Sequence, residues 1–207
     1  ILTEYIPSAT PKGDFYERFG RELAALHQTH ADRFGFYEDN FIGDTMQLNL
    51  TTGIEGEDWA AFYYTKRLAY QFRLADSNGY STRVLQRGMA VLEMKASDLL
   101  SGSEEKPTLL HGDLWNGNYL CDENNRPVLI DPAVYYGHRE ADLAMTYLFG
   151  GFPDEFYAAY HEAHPLPYGW EERIGLYKLY HLLNHLNLFG QGYLGESERI
   201  IRRYTGV

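Results

Sequence analysis

Residues 111–132 read HGDLWNGNYLCDENNRPVLIDP, and no other stretch restricts the fold as tightly. Two short apolar runs, residues 119–121 and 127–130, flank the turn-rich residues 122–126, DENNR. Together they spell a tight β-hairpin. Asn118 stands just before its first strand and Asp131 just after its second. Closing the hairpin therefore brings two hard-oxygen side chains together without any long-range coincidence.

The rest of the chain is patterned for helices. Phe15, Phe19, Leu23 and Leu26 recur at helical spacing and predict a helix over 15–30. Asp14 and Glu17 stand in capping-box positions at its start. Asp58 is expected to cap a helix over 59–75, and Ser81 another that carries Val84, Leu85, Met89 and Leu92. Further helices are predicted over 140–149, 154–162, 171–189 and 196–204. Residues 1–6 read as a short strand stopped by Pro7, residues 33–57 as a long irregular segment, and residues 101–107 as a polar loop. The expected architecture is mainly α with one small β-hairpin embedded in it.

Composition narrows the function classes. A formal net charge of −11 argues against a broad basic nucleic-acid surface. The single cysteine, Cys121, rules out an internal disulfide framework and a multi-Cys metal site. No run of about 18 apolar residues is present, and no basic-then-apolar leader opens the chain, so the expected location is the cytoplasm. The 18 tyrosines predict half-buried helix faces with hydroxyls reaching water.

The hairpin carries the chemistry. Few hard oxygen ligands suit Mg²⁺, which keeps several waters and takes phosphate oxygens as further ligands. Asn118 and Asp131 fit that role, and Asp113 stands apart on the loop, free to accept a proton from a hydroxyl. This is the division of labour that phosphoryl transfer needs. Protein kinases spell it H-R-D-x-x-x-x-N followed by a later metal-binding Asp. Here His111-Gly112-Asp113 has Asn118 at the matching offset and Asp131 in the later place. Gly112 departs from the protein kinases and resembles the small-molecule kinases of the same superfamily, the aminoglycoside and choline kinase relatives. HGD alone is a weak signal and usually a turn; the combination is restrictive.

The flanks resemble one family more closely. HGDLWNGN, IDPAVYYGHREADLAMTYLFGGF, LYHLLNHLNLFG, LAALH and FGFYEDNFIGDTMQLN are similar to the fructosamine kinase (ketosamine 3-kinase) family, over about residues 1–204. The resemblance implies ATP-dependent, Mg²⁺-assisted phosphorylation of the sugar 3-hydroxyl of ketosamines, free or on protein amines. It implies Asp113 as the base and Asn118 and Asp131 as metal ligands. Trp115 would wall the sugar pocket, with His185 a further substrate contact, and Asp142 would brace the catalytic loop. No Gly-rich phosphate loop and no lysine-bearing strand matches the family's N-terminal lobe. ILTEYIP resembles the last strand of that lobe running into the hinge. The expected division is thus residues 1–7 as lobe end and hinge, with the backbone of Glu4, Tyr5 and Ile6 beside adenine, and residues 8–207 as the C-terminal lobe of a protein-kinase-like fold. The alternatives are a kinase for another small alcohol, such as an aminoglycoside or choline, and a catalytically inactive binding module.

Other constellations carry less. His181 and His185 lie at i, i+4, a zinc-compatible spacing, but Leu182 replaces the metalloprotease base, so core or pocket histidines are expected. His138, Arg139 and Glu140 read slightly better as a salt-bridged turn than as substrate contacts. Gln47 and Asn49 either face the sugar or satisfy loop backbone. No Ser-His-Asp order or nucleophile elbow supports acyl transfer.

Overall fold

Phe15, Phe19 and Leu23 are buried at helical spacing along α1, Phe15–Leu26. The computed structural model describes residues 4–102 and 104–207. The expected capping box does not form: Asp14 makes no side-chain cap bond and lies 3.6 Å from Arg18 instead. The helix stops at Leu26, short of His30, because the backbone beyond it pairs elsewhere. Leu109 N donates to Thr29 O (2.8 Å) and Ala31 N to Pro107 O (3.0 Å).

The stretch expected to be irregular contains a hairpin, β1 (Asn40–Ile42) and β2 (Thr45–Gln47), turned at Gly43 with φ +57°. Asp58 caps α2, Trp59–Phe62, as expected, accepting from Ala61 N at 2.6 Å. One π-helical turn, Tyr63–Leu68, links it to α3, Ala69–Ser77. The next cap is Thr82 rather than Ser81, at the start of α4, Arg83–Leu99. Thr82 accepts from Leu85 N at 3.2 Å, while the Ser81 hydroxyl faces Gln86.

Two further short strands join the predicted hairpin. β3 (Thr108–Leu110) pairs antiparallel with β6 (Tyr135–Gly137), and β4 (Tyr119–Cys121) with β5 (Pro127–Leu129). Of the strand expected over 1–6, residues 1–3 lie outside the described residues and residues 4–6 form no strand; the pairing nearby is Ser8 with Asp122. α5 (Glu140–Thr146), α6 (Asp154–Ala163), α7 (Trp170–Phe189) and α8 (Leu194–Thr205) follow close to their expected places.

α7 is buried on every side between 179 and 184, as befits a helix at the centre of a core. It packs against α3, α5 and α8 in the larger of two cores. The smaller core joins α1 and α6 through Phe15, Phe19, Phe156 and Tyr160, and includes Leu114. α1 and α6 touch closely at Gly20, where a Cβ would meet Phe156 O at 2.3 Å. Several tyrosines lie deeper than their number predicts. Tyr63, Tyr177, Tyr180 and Tyr160 are buried, with hydroxyls bonded to Leu176 O and Tyr177 O, Trp59 Nε1, Gln47 Oε1 and His27 Nδ1 respectively. These hydroxyls bond inside the protein, which lets the aromatic rings be buried without an unsatisfied polar group.

Candidate active site

The β3–β6 pairing sets residues 111–113 beside residues 131–133. The approach is close: Ala133 N donates to His111 O at 2.8 Å. A Cβ on Gly112 would fall 2.0 Å from Ala133 O, and Gly112 has φ +85°. Both space and backbone conformation therefore demand glycine at the centre of HGD.

Asp142, in the first turn of α5, holds this loop from beneath. Its Oδ2 accepts from His111 N and its Oδ1 from Gly112 N, each at 2.7 Å. His27 Nε2 lies 3.1 Å from Oδ2, and Nδ1 of the same ring lies 2.7 Å from the Tyr160 hydroxyl. Burial pushes the Asp142 carboxyl up, but the hydrogen bond and charge of His27, with help from His111 and Gly112 N, outweigh it and hold the group below its ordinary value. The brace reading of Asp142 is thus met in the geometry, and its partner His27 went unread in the sequence. LAALH offers no sign that its histidine points inward, because α1 ends just before it.

His111 locks the loop sideways. Its Nδ1 faces Asp113 N (3.2 Å) and its Nε2 faces Ile130 O (2.9 Å). The first partner can only donate and the second only accept, so the ring is the neutral Nε2–H tautomer. Burial, opposed by the charge of Asp142, pushes its pKa down.

Asp113 does not stand apart as the spacing suggests. Asn118 Nδ2 donates to its backbone oxygen (2.8 Å) and to its Oδ2 (3.1 Å). Burial pushes the carboxyl up to about 6, against the Asn118 bond, and the negative charges of Asp142 and Asp131 add to the rise. A carboxylate poised near neutrality, partly exposed and oriented by an amide can take a proton from an alcohol.

Because the Asn118 NH₂ turns to Asp113, its amide Oδ1 is the group left for a cation. Ile130 N donates to Asn118 O at 3.1 Å, so the two ends of the hairpin meet as the sequence predicts. Asp131, exposed and at φ +49°, follows directly. One amide oxygen and one carboxylate make a sparse, hard donor set. It fits Mg²⁺ shared with phosphates and water, and not a closed protein cage. Among the described residues, no group of three or more His, Cys, Asp and Glu side chains gathers as a metal cluster. Asp131 also lines an open depression of about 720 Å³ with Ile130, Leu129, Val128 and Leu120. Its other side is formed by Glu4, Tyr5 and Ile6. The expected hinge residues and the expected metal Asp therefore share one groove.

A cluster of aromatic rings gathers around Trp115, two residues after Asp113. The Trp115 ring folds back over Gly117, where a Cβ would meet Cζ2 at 2.4 Å. Phe149 stands edge-on to Trp115 with centroids 5.6 Å apart, and 4.9 Å from the His185 ring. His185 also faces Phe189 and Tyr193, and its Nδ1 donates to His181 O at 2.8 Å. Trp115 and His185, separate in sequence, are thus joined through Phe149, which the sequence reading did not single out. Its φ of +55° next to Gly150 and Gly151 places the ring there.

The remaining candidates are structural. Gln47 Nε2 donates to Ala133 O at 2.8 Å and Asn49 Nδ2 to Asn40 Oδ1 at 2.9 Å. Both are buried; Gln47 ties the β1–β2 hairpin to Ala133, whereas Asn49 bonds within its own segment and to Arg67. Arg139 forks onto Glu105 (2.6 and 2.8 Å) and Glu140 onto Arg173 (2.6 and 2.9 Å), which fits the salt-bridged turn. Buried Arg67, unread in the sequence, lies 4.0 Å over the Tyr135 ring and donates to Leu48 O and Asn49 Oδ1.

A fructosamine kinase family model matches residues 1–206. Over 206 residues the chain is 43% identical to a chloroplastic protein-ribulosamine 3-kinase of Arabidopsis thaliana, covering 99% of this chain and 61% of that protein. It is 41% identical over 204 residues to a probable ketoamine kinase of Synechocystis, covering 98% and 66%. The chain thus spans less than two thirds of the length of these two curated relatives. Its fold is similar to the crystal structure of a Thermobifida fusca protein assigned as a fructosamine-3-kinase, with a TM-score of 0.87, 39% identity, and 99% and 69% of the two chains covered. No described helix is long and apolar enough to cross a membrane.

Proposed function

The chain belongs to the fructosamine kinase family, and from that premise we propose that it forms the catalytic and acceptor-binding part of an ATP-dependent kinase for the sugar 3-hydroxyl of ketosamines. The observation that carries the reading is the Asp113 carboxylate, part-buried, held by Asn118 Nδ2 at 3.1 Å and raised to about 6. The Asp113 carboxylate takes the proton of the attacking hydroxyl as its oxygen bonds to the γ-phosphorus. The bond between that phosphorus and the bridging oxygen breaks, and ADP leaves with the electron pair. Asn118 Oδ1 and Asp131 would hold Mg²⁺, which when bound would neutralise triphosphate charge. Trp115, Phe149 and His185 present an apolar face to the C–H side of the sugar and exclude water from the transfer.

In this reading Glu4, Tyr5 and Ile6 form the hinge, with their backbone beside adenine. Residues 8–207 form the C-terminal lobe, and residues 1–7 lead from a small lobe that the relatives' greater length accommodates. The test is phosphate transfer by the full-length protein with ATP, Mg²⁺ and a panel of a fructose-amine adduct, a ribulose-amine adduct, an aminoglycoside and choline. Ketosamine 3-phosphate as the main product is expected. Preference for an aminoglycoside or choline would overturn the substrate class, and no transfer to any acceptor would overturn the kinase reading.

A further inference from the structure

Two buried polar atoms in the site have no hydrogen-bond partner among the described residues: Asp113 Oδ1 and His181 Nδ1. They face each other at 3.9 Å. His181 comes from the middle of α7 and its side chain is only 4% exposed, so the ring is held by the core and cannot swing to water. An unsatisfied buried polar atom costs free energy. Two of them, one an acceptor and one able to donate, are placed opposite each other a little beyond hydrogen-bond length.

We propose that His181 is a positioning residue for the Asp113 base, donating Nδ1–H to the inner carboxylate oxygen, with the contact closing when substrate and nucleotide bind. This rests on the kinase reading above. Catalytic hydrogen bonds are often long in unliganded enzymes and tighten in the reactive complex. The two carboxylate oxygens then have separate tasks. Asn118 and His181 grip the group from opposite sides, at Oδ2 and Oδ1. Together they fix the plane of the carboxylate and the direction in which it meets the hydroxyl.

The tautomer follows from the neighbours. Burial, helped by the nearby His185 and Arg67, holds the His181 ring far below its ordinary pKa, at about 3, so the ring is neutral in the working range. A neutral imidazole carries one proton. With the proton on Nε2, the Nδ1 lone pair would point at a carboxylate oxygen, acceptor against acceptor. With the proton on Nδ1, the pair is a donor facing an acceptor, and both orphan atoms are satisfied at once. His185 cannot take this role, because its Nδ1 already donates to His181 O.

The test uses the full-length protein, with His181→Leu and His181→Asn made in parallel. Asparagine places an amide N–H near the position of Nδ1; leucine fills similar space and donates nothing. Loss of a hydrogen bond to a charged group predicts that His181→Leu lowers kcat on the order of 10- to 100-fold. The KM values for ATP and the ketosamine should stay within about threefold of wild type, because the bond matters to the base and not to binding. His181→Asn should recover most of the lost kcat. Equal losses in both variants would overturn the proposal, as would a change confined to KM. A second measurement needs no turnover: ¹⁵N chemical shifts of the His181 ring in the wild-type protein should report the Nδ1–H tautomer, and an Nε2–H ring would overturn it. Wild-type protein inactive on every acceptor would remove both the kinase reading and this role. Normal wild-type turnover with unaffected variants would remove His181 alone.

Discussion

Replacing Asp142 with asparagine tests the loop architecture at a single atom. The carboxylate is buried and accepts from His111 N (2.7 Å), Gly112 N (2.7 Å) and His27 Nε2 (3.1 Å). Asp142→Asn keeps one oxygen. The less costly orientation leaves that oxygen on His111 and His27, and sets the new NH₂ against Gly112 N–H, donor facing donor. One bond to a charged acceptor, worth about 1.5–3 kcal/mol, is lost, and the other two lose their charge assistance. A total near 3 kcal/mol is expected, a large part of the roughly 5–15 kcal/mol that holds a domain together. The sign with pH follows from linkage. The folded pKa of Asp142 lies below its ordinary value, so its stabilisation is full above the unfolded value near 3.9 and fades as pH falls through the folded one. Urea unfolding of both proteins at about pH 7 and about pH 3.5 reads this directly. Wild type should hold a higher midpoint at neutral pH, with the gap narrowing in acid. Equal midpoints at neutral pH, or a gap that widens in acid, would refute the brace.

Three further outcomes follow from the same geometry. Asp113→Asn, in metal-free buffer, should stabilise the protein by about 1–3 kcal/mol at about pH 8, because the folded pKa of Asp113 is raised to about 6 and the ionised form is penalised there. The gain should shrink as pH falls through about 6 and vanish near about pH 3, below the unfolded value near 3.9, where wild type is largely protonated in both states; a gain that persists there would mean that packing, not charge, is responsible. Gly112→Ala should cost on the order of 3 kcal/mol or more, from a left-handed backbone and a Cβ 2.0 Å from Ala133 O, and thermal unfolding reads it. Asp131→Asn should weaken Mg²⁺-dependent nucleotide binding by calorimetry while leaving the unfolding midpoint near wild type, since Asp131 is exposed and asparagine tolerates its left-handed backbone.

The hairpin was legible because it is local. Its ends meet through Ile130 N and Asn118 O across a five-residue turn region, and a turn signature needs no tertiary information. α1 was legible for a related reason: Phe15, Phe19 and Leu23 recur at helical spacing. What was missed depends on partners distant in sequence. His27 matters through Asp142, and Phe149 through Trp115 and His185. The β1–β2 hairpin is held by Gln47 reaching Ala133 O, and three-residue strands carry too short an alternation to read. The Asp14 capping box was a plausible local pattern that lost to an ion pair with Arg18. Arg67 carried no signal in the sequence, because its burial is supported by an aromatic face and a carbonyl from other elements.

The central claim is that Asp113 takes the proton of the acceptor hydroxyl. Turnover of Asp113→Asn in the full-length protein, with ATP, Mg²⁺ and a fructose-amine adduct, tests it most directly. Turnover should fall about 10²- to 10⁴-fold, the usual scale for a general base, while the nucleotide affinity stays near wild type. Turnover near wild type would contradict the account.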